Sequence, residues 1–261
     1  MGRRKAPGRD RLRRDDLGFL RSVELVSEKI PDFSAYPFSI PALRGLEVLA
    51  FHPRVTFFVG ENGSGKSTLL EAIAVALGFN AEGGSRNFNF ATRRSESELH
   101  QYLRPVRGIL RPNDGFFLRA ESYFNVGTEI ERLGIGPYGG VSVHEQSHGE
   151  SFLRLANDRF RGDGLYLLDE PEAALSPARQ LSFLAIIDRL VRQGSQLIIA
   201  THSPIILAYP QAQILHFGPE GIAPIAYEET EHYRLTLDFL RHRQLFLKQL
   251  LGEPEPGAEE T

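Results

Sequence analysis

Residues 60–68 read "GENGSGKST" and follow a short β-branched and aromatic run, Val55–Val59, "VTFFV". The nonapeptide fits G-x-x-x-x-G-K-[ST] in full, with Gly60, Gly65, Lys66 and Ser67 at the fixed places. Glycines let the backbone turn tightly here, so the N–H groups of the loop, through Asn62, Gly63 and Ser64, point inward at phosphate oxygens. The pattern Leu69, Leu70, Ile73, Ala74 and Leu77 marks one face of a following helix, closed by Gly78. That helix starts near Lys66 and adds its positive dipole end to the same spot. Lys66 is a point charge for β- and γ-phosphates, the Ser67 hydroxyl is a ligand for Mg²⁺, and Thr68 completes the set. A Gly-rich turn without a ligand is the bland alternative, and it explains neither the lysine nor the strand and helix on either side. The stretch predicts a nucleoside triphosphate site.

Two more apolar runs lie outward from it, Leu165–Leu168, "LYLL", and Leu197–Ala200, "LIIA". Runs this short and this apolar suit strands buried on both faces, the signature of a parallel sheet. Each precedes polar residues, and "LYLL" leads into a helical pattern entered near Pro177 and ended near Gly194. Strand–helix alternation predicts an α/β fold with a mainly parallel central sheet, whose ligands bind at the carboxyl ends of the strands. Asp169 and Glu170 follow the second strand. Asp169 suits Mg²⁺, directly or through water, and Glu170 suits a general base for the attacking water. Acidic residues also end strands for no special reason. His202, in "IIATHSPIIL" beyond the third strand, falls near the expected γ-phosphate, although a lone histidine there is as often an ordinary residue.

Composition bounds the rest. The 261 residues suffice for one sizeable domain, with 41% apolar and 24% charged residues. A net charge of −3 gives no global field for nucleic acid or membrane. The absence of cysteine excludes disulfides and thiolate metal sites. No apolar run has the length of a signal core or a membrane helix, so the expected compartment is the cytoplasm. Residues 1–17 carry seven basic residues from Arg3 to Arg14 and read as a disordered tail, able to touch nucleic acid but more simply a solvated arm. Residues 251–261 read as a polar tail, leaving residues 18–250 as the folded domain.

In this order the motifs resemble the nucleotide-binding domain of ABC-type ATPases, within the P-loop NTPases. Gly60–Thr68 resembles the Walker A loop, Leu165–Glu170 the Walker B strand with its catalytic glutamate, and His202 the switch histidine. The pentapeptide "SHGES", residues 147–151, falls where that family carries its signature. Ser147, Gly149 and Glu150 match, and His148 departs from the usual glycine. The next residues place Phe152, Leu155, Ala156 and Phe160 on one helical face. The resemblance implies that the signature serves the γ-phosphate of ATP held by a second copy, so that two half-sites close head to tail around two nucleotides. It also implies an antiparallel β portion near the N-terminus and a small helical arm within residues 80–160. Ser176 stands where the family usually has an aspartate. Gln101 is a candidate for the Q-loop glutamine, and Tyr36 or Phe38 for an adenine-stacking aromatic.

Three functions remain open. The first is an ATPase that binds Mg-ATP, forms a homodimer and acts on a macromolecular partner such as nucleic acid in repair or defence. The second is the energising subunit of a transporter. The third is a nucleotide-gated switch with little turnover, which needs neither Glu170 nor His202. The whole chain most resembles bacterial stand-alone ATPases made of a single compact ABC-type domain.

Overall fold

The protein was described as a computed structural model, over residues 18–85, 97–119 and 148–252. Among the described residues nine strands run in chain order: β1 Leu20–Leu25, β2 Val48–Ala50, β3 Val55–Val59, β4 Leu103–Arg107, β5 Asp114–Arg119, β6 Gly164–Asp169, β7 Gln196–Ala200, β8 Gln213–Gly218 and β9 Gly221–Pro224. The helices are α1 Pro41–Arg44, α2 Lys66–Ala76, α3 His148–Arg159, α4 Pro177–Arg192, α5 Pro204–Leu207, α6 Glu231–Arg241 and α7 Arg243–Leu251.

Six strands form the central sheet in the order β5-β6-β7-β3-β8-β9. The first five are mutually parallel and β9 closes the edge antiparallel to β8. The register sets Phe57 beside Ile199, and Leu168 beside Ile199 from the other side. The expectation of a parallel sheet holds, and the three apolar runs fall on the interior strands β3, β6 and β7, which are neighbours in it. An antiparallel sheet of order β2-β1-β4 accompanies it, as the resemblance implied.

Side chains alternate across a strand, and here they sort cleanly between two cores. Val55, Phe57 and Val59 of β3, Tyr166 and Leu168 of β6, and Leu197 and Ile199 of β7 pack against Phe152 and Leu155 of α3 and Phe183 and Ile187 of α4. Phe58, Leu165, Leu167 and Ile198 face the opposite way, onto Leu69, Leu70 and Ile73 of α2 and Leu20 and Val23 of β1. Every residue of β3, β6 and β7 is buried. Full burial of such a side chain contributes about 1.5–3 kcal/mol each relative to exposure.

One polar residue ties the two sheets together. Gln196, fully buried at the start of β7, accepts from Leu20 N at 2.9 Å and donates to the carbonyls of Leu20 and His52 at 2.8 and 3.0 Å. All three bonds satisfy backbone or amide groups that would otherwise be buried without a partner, which costs about 1–3 kcal/mol each.

The described part of residues 80–160 holds a 3-10 turn at Glu98–Tyr102, strands β4 and β5 and helix α3. The remainder of the expected helical arm, the 1–17 tail and residues 253–261 lie outside the described residues.

Candidate nucleotide-binding site

Four segments meet at the carboxyl end of the central sheet. The first is the loop after β3. Gly60 and Gly65 take φ values of 146° and 99°, open to glycine and strained for other residues. A Cβ on Gly60 would stand 2.6 Å from the Phe217 carbonyl, and one on Gly65 2.9 Å from Ile40. The loop is therefore glycine for two reasons, conformation and the close approach of β8 and the 40–43 segment. Its tip, Glu61 to Gly63, is exposed. With Pro41, His216 and Glu231 it lines a cleft of about 420 Å³.

Lys66 opens α2 and is almost fully buried. Its Nζ donates to the carbonyls of Gly60 and Glu61 at 2.7 and 2.8 Å, with Ser64 Oγ at 3.5 Å. The ammonium is thus held inside the loop, aimed by the same turn that presents the loop amides. Burial pushes its pKa below that of an ordinary lysine, and the Glu170, Asp169 and Glu172 carboxylates offset part of that shift.

The second segment is the end of β6. Asp169, its last residue, is buried and accepts from Ser67 Oγ at 2.8 Å. This joins two groups that the sequence places 102 residues apart. Together they are a hydroxyl and a carboxylate, a hard oxygen pair that suits Mg²⁺. Among the described residues no group of three or more His, Cys, Asp or Glu could hold a metal. A pair fits Mg²⁺ nonetheless, because that ion keeps waters and phosphate oxygens in its shell.

Glu170 follows with φ 50° and ψ 51°, the left-handed region. For a residue with a side chain that conformation costs on the order of 1–2 kcal/mol. It is fixed by its N–H, which donates to the Ala200 carbonyl of β7 at 2.9 Å, and by Ala173 N, which donates to the Glu170 carbonyl at 3.0 Å. Non-glycine residues forced into this region gather at functional sites.

The third segment follows β7. Thr201 N donates to the Phe58 carbonyl at 3.2 Å, carrying His202 beyond the sheet edge. His202 Nε2 stands 3.7 Å from Glu170 Oε1. Its backbone N–H donates to Glu172 Oε1 at 2.5 Å. Burial, and next the Lys66 cation, hold the His202 pKa below the ordinary histidine value. Glu172 is a residue that sequence reasoning passed over, although it stands only two positions beyond Glu170. Its Oε2 is buried without a hydrogen-bond partner among the described residues, and burial raises its carboxyl pKa. It clamps the histidine loop onto the turn after β6. A fourth segment, the start of α6, adds His232, whose Nε2 is 2.8 Å from His202 Nδ1. Nothing in the sequence flags that contact.

The remaining expected residues divide. Gly149 and Glu150 lie in the first turn of α3, and Ser147 lies outside the described residues. The Glu150 carboxylate is half exposed, 3.5 Å from Arg154 and 3.9 Å from Arg179. Phe152, Leu155 and Ala156 form the expected buried face of α3, and Phe160, also buried, lies one residue past the end of the helix. Tyr36 is 67% exposed with its hydroxyl 3.3 Å from Thr68 Oγ1, so an open ring stands beside the loop. Phe38 is instead a core residue, edge-on to Tyr102 at 5.0 Å, and has no face free to stack on a base. Gln101 is exposed in the 98–102 turn. Ser176 caps α4 from an exposed position.

A glycine loop holding a buried lysine, and a serine–aspartate pair that joins the start of α2 to the end of β6, define a P-loop nucleotide-binding domain. Comparison with known proteins narrows this. Residues 33–131 match a family described as AAA domain, and residues 138–208 one described as AAA domain, putative AbiEii toxin, Type IV TA system. The nickel import ATP-binding protein NikO of Rhodobacter capsulatus is 30% identical over 65% of this chain and 76% of its own length. The thiamine import ATP-binding protein ThiQ of Cereibacter sphaeroides is 30% identical over 56% of this chain and 69% of its own. The cobalt import ATP-binding protein CbiO of Salmonella typhimurium is 38% identical over 34% of this chain, a match spanning 36% of its own length. The chain belongs to the ABC-type ATP-binding family of P-loop ATPases.

Proposed function

We propose that this protein binds Mg-ATP and hydrolyses it within a head-to-tail homodimer, using the cycle to act on a macromolecular partner. The observation that carries the reading is the convergence of Lys66, the Ser67–Asp169 pair, Glu170 and His202 at one sheet edge. Ser67 and Asp169 would hold Mg²⁺, which supplies charge neutralisation at the β- and γ-phosphates. Lys66 and the loop amides from Gly60 to Thr68 bind the phosphates and offset the charge that spreads over the transferring group. Glu170 accepts a proton from the attacking water, and His202 donates a hydrogen bond to the γ-phosphate. Tyr36 offers its ring to the adenine. Gly149 and Glu150, at the start of α3, and Ser147, which precedes them in sequence, serve the nucleotide of the opposing copy. Loss of the γ-phosphate then removes the bridge between the copies.

Glu170→Gln keeps the shape and removes the base. It is expected to abolish turnover and hold an ATP-bound dimer on size-exclusion chromatography. Wild-type hydrolysis in that variant sinks the catalytic assignment.

A second reading, the energising subunit of a transporter, is favoured by the names of the relatives at 30% identity. No helix among the described residues is long and apolar enough to cross a membrane, so this reading requires a separate membrane partner. ATP turnover with and without DNA, across a salt series, separates the two. Stimulation that fades with salt marks phosphate contacts, whereas an unchanged rate directs the search to a protein partner.

A further inference from the structure

His232 is the second residue of α6, and its helix start is anchored against the histidine loop. Thr230, almost fully buried, donates from its hydroxyl to the Tyr227 carbonyl at 2.7 Å and accepts from Tyr233 N at 3.4 Å. The Tyr227 hydroxyl donates to the Pro204 carbonyl at 2.9 Å, two residues beyond His202. The imidazoles of His202 and His232 then meet through Nδ1 and Nε2 at 2.8 Å.

A nitrogen–nitrogen contact of that length needs one N–H and one lone pair. Two doubly protonated rings would set N–H against N–H, so the pair does not carry two charges. Burial holds both histidines below their ordinary pKa, and Lys66 adds to the effect on each. Two neutral arrangements remain. If His202 Nδ1 donated, its Nε2 would turn a lone pair toward the Glu170 carboxylate 3.7 Å away. If His232 Nε2 donates, His202 Nε2 carries the proton and faces that anion with an N–H. That nitrogen is buried and has no hydrogen-bond partner among the described residues, so an N–H facing the Glu170 carboxylate is the better match, where a lone pair would be repelled.

We propose that His232 is a positioning residue: its Nε2–H donates to His202 Nδ1, fixes His202 as the Nε2–H tautomer and aims that N–H at Glu170 and the γ-phosphate. The consequence for turnover rests on the ATPase reading above, whereas the tautomer does not. The placement of α6 is thereby coupled to the hydrolytic site through one hydrogen bond.

The test uses the full chain labelled with ¹⁵N-histidine. It has eight histidines, and the His202 signals are assigned by their loss in His202→Ala. Long-range ¹H–¹⁵N spectra are expected to report the Nε2–H tautomer at His202 in the wild type and in His232→Gln, whose amide keeps a donor. In His232→Leu the tautomers should mix. Turnover should follow: near wild type in His232→Gln, and lower by roughly tenfold or more in His232→Leu, the scale of one hydrogen bond to a charged group. In a His202→Ala background His232→Leu should cause no further loss. An unchanged tautomer in His232→Leu, or additive losses in the double variant, overturns the proposal. If the tautomer shifts but the wild type does not hydrolyse ATP, the positioning role stands and the ATPase reading fails.

Discussion

The strand ends of β6 and β7 and the start of the α6–α7 segment approach the same histidine, yet they are built on opposite terms. Every residue of the two strands is buried, so the backbone that carries Asp169, Glu170 and His202 is fixed by packing on both faces. Helices α6 and α7 contain no buried residue. Leu240, Leu250 and Leu251 are 69, 73 and 78% exposed. The α6–α7 segment is attached mainly at its beginning, through the Thr230 cap, the Tyr227 and Tyr233 rings 4.7 Å apart, and His232. A segment with few buried contacts opens at low free energy. The molecule thus sets groups that must not move on the sheet, and reaches the same site from an element that can move cheaply.

Substitutions on the two sides should therefore separate widely. The largest effect is expected for Lys66→Ala, which removes the only ammonium in the loop. ATP turnover measured as kcat/KM should fall about 10³-fold or more, around 4 kcal/mol. A residual rate near wild type would break the view of the loop as the phosphate site. Next in size is Phe183→Ala in α4, a fully buried ring 5.3 Å from Phe152. Denaturant unfolding should register a loss of about 3–5 kcal/mol.

Tyr36→Ala should raise the KM for ATP several-fold, about 1 kcal/mol, with kcat and unfolding little changed. Phe38→Ala should do the reverse, lowering stability without a selective effect on KM. Equal KM effects at the two positions would mean that the exposed ring beside Thr68 does not meet the base. Smaller again is the pH response. His202 and His232 have folded pKa values below the ordinary 6.5. The unfolded chain therefore binds more protons as pH falls past 6.5, and stability present above that value is lost toward lower pH. The thermal midpoint should decline on acidification through this range, and more shallowly in His232→Gln. The smallest effect belongs to Leu250→Ser on α7, within about 0.5 kcal/mol. A larger loss there would show that the α6–α7 segment contributes to the core after all.

How far the sequence foretold this depends on the range over which each signal acts. The run Val55–Val59 is β3 residue for residue, and the other two apolar runs fall within β6 and β7. Strands buried on both faces leave no polar positions to confuse the pattern. The glycine loop was equally plain, since its residues lie within nine positions of one another. The strand β8, "QILHFG", lacked that clarity because His216 and Gly218 interrupt its apolar run. Phe38 and Tyr36 were indistinguishable in sequence, and only burial separates them. His232 was invisible for a different reason. Its contact with His202 spans 30 residues and depends on where the α6 start docks, which no local pattern encodes.

The left-handed backbone at Glu170 has a bearing on what the chain would become without its reaction. Glycine and asparagine tolerate that conformation better than glutamate. Glu170→Gly should therefore raise the unfolding midpoint, by up to about 1 kcal/mol, while ending hydrolysis. Glu170→Gln should end hydrolysis without that rise. Under selection for durability alone, this position would drift away from a carboxylate. With Glu170 as the proposed base, glutamate here sets thermostability against turnover, and screens for hardier variants can be expected to find inactive variants at residue 170 first.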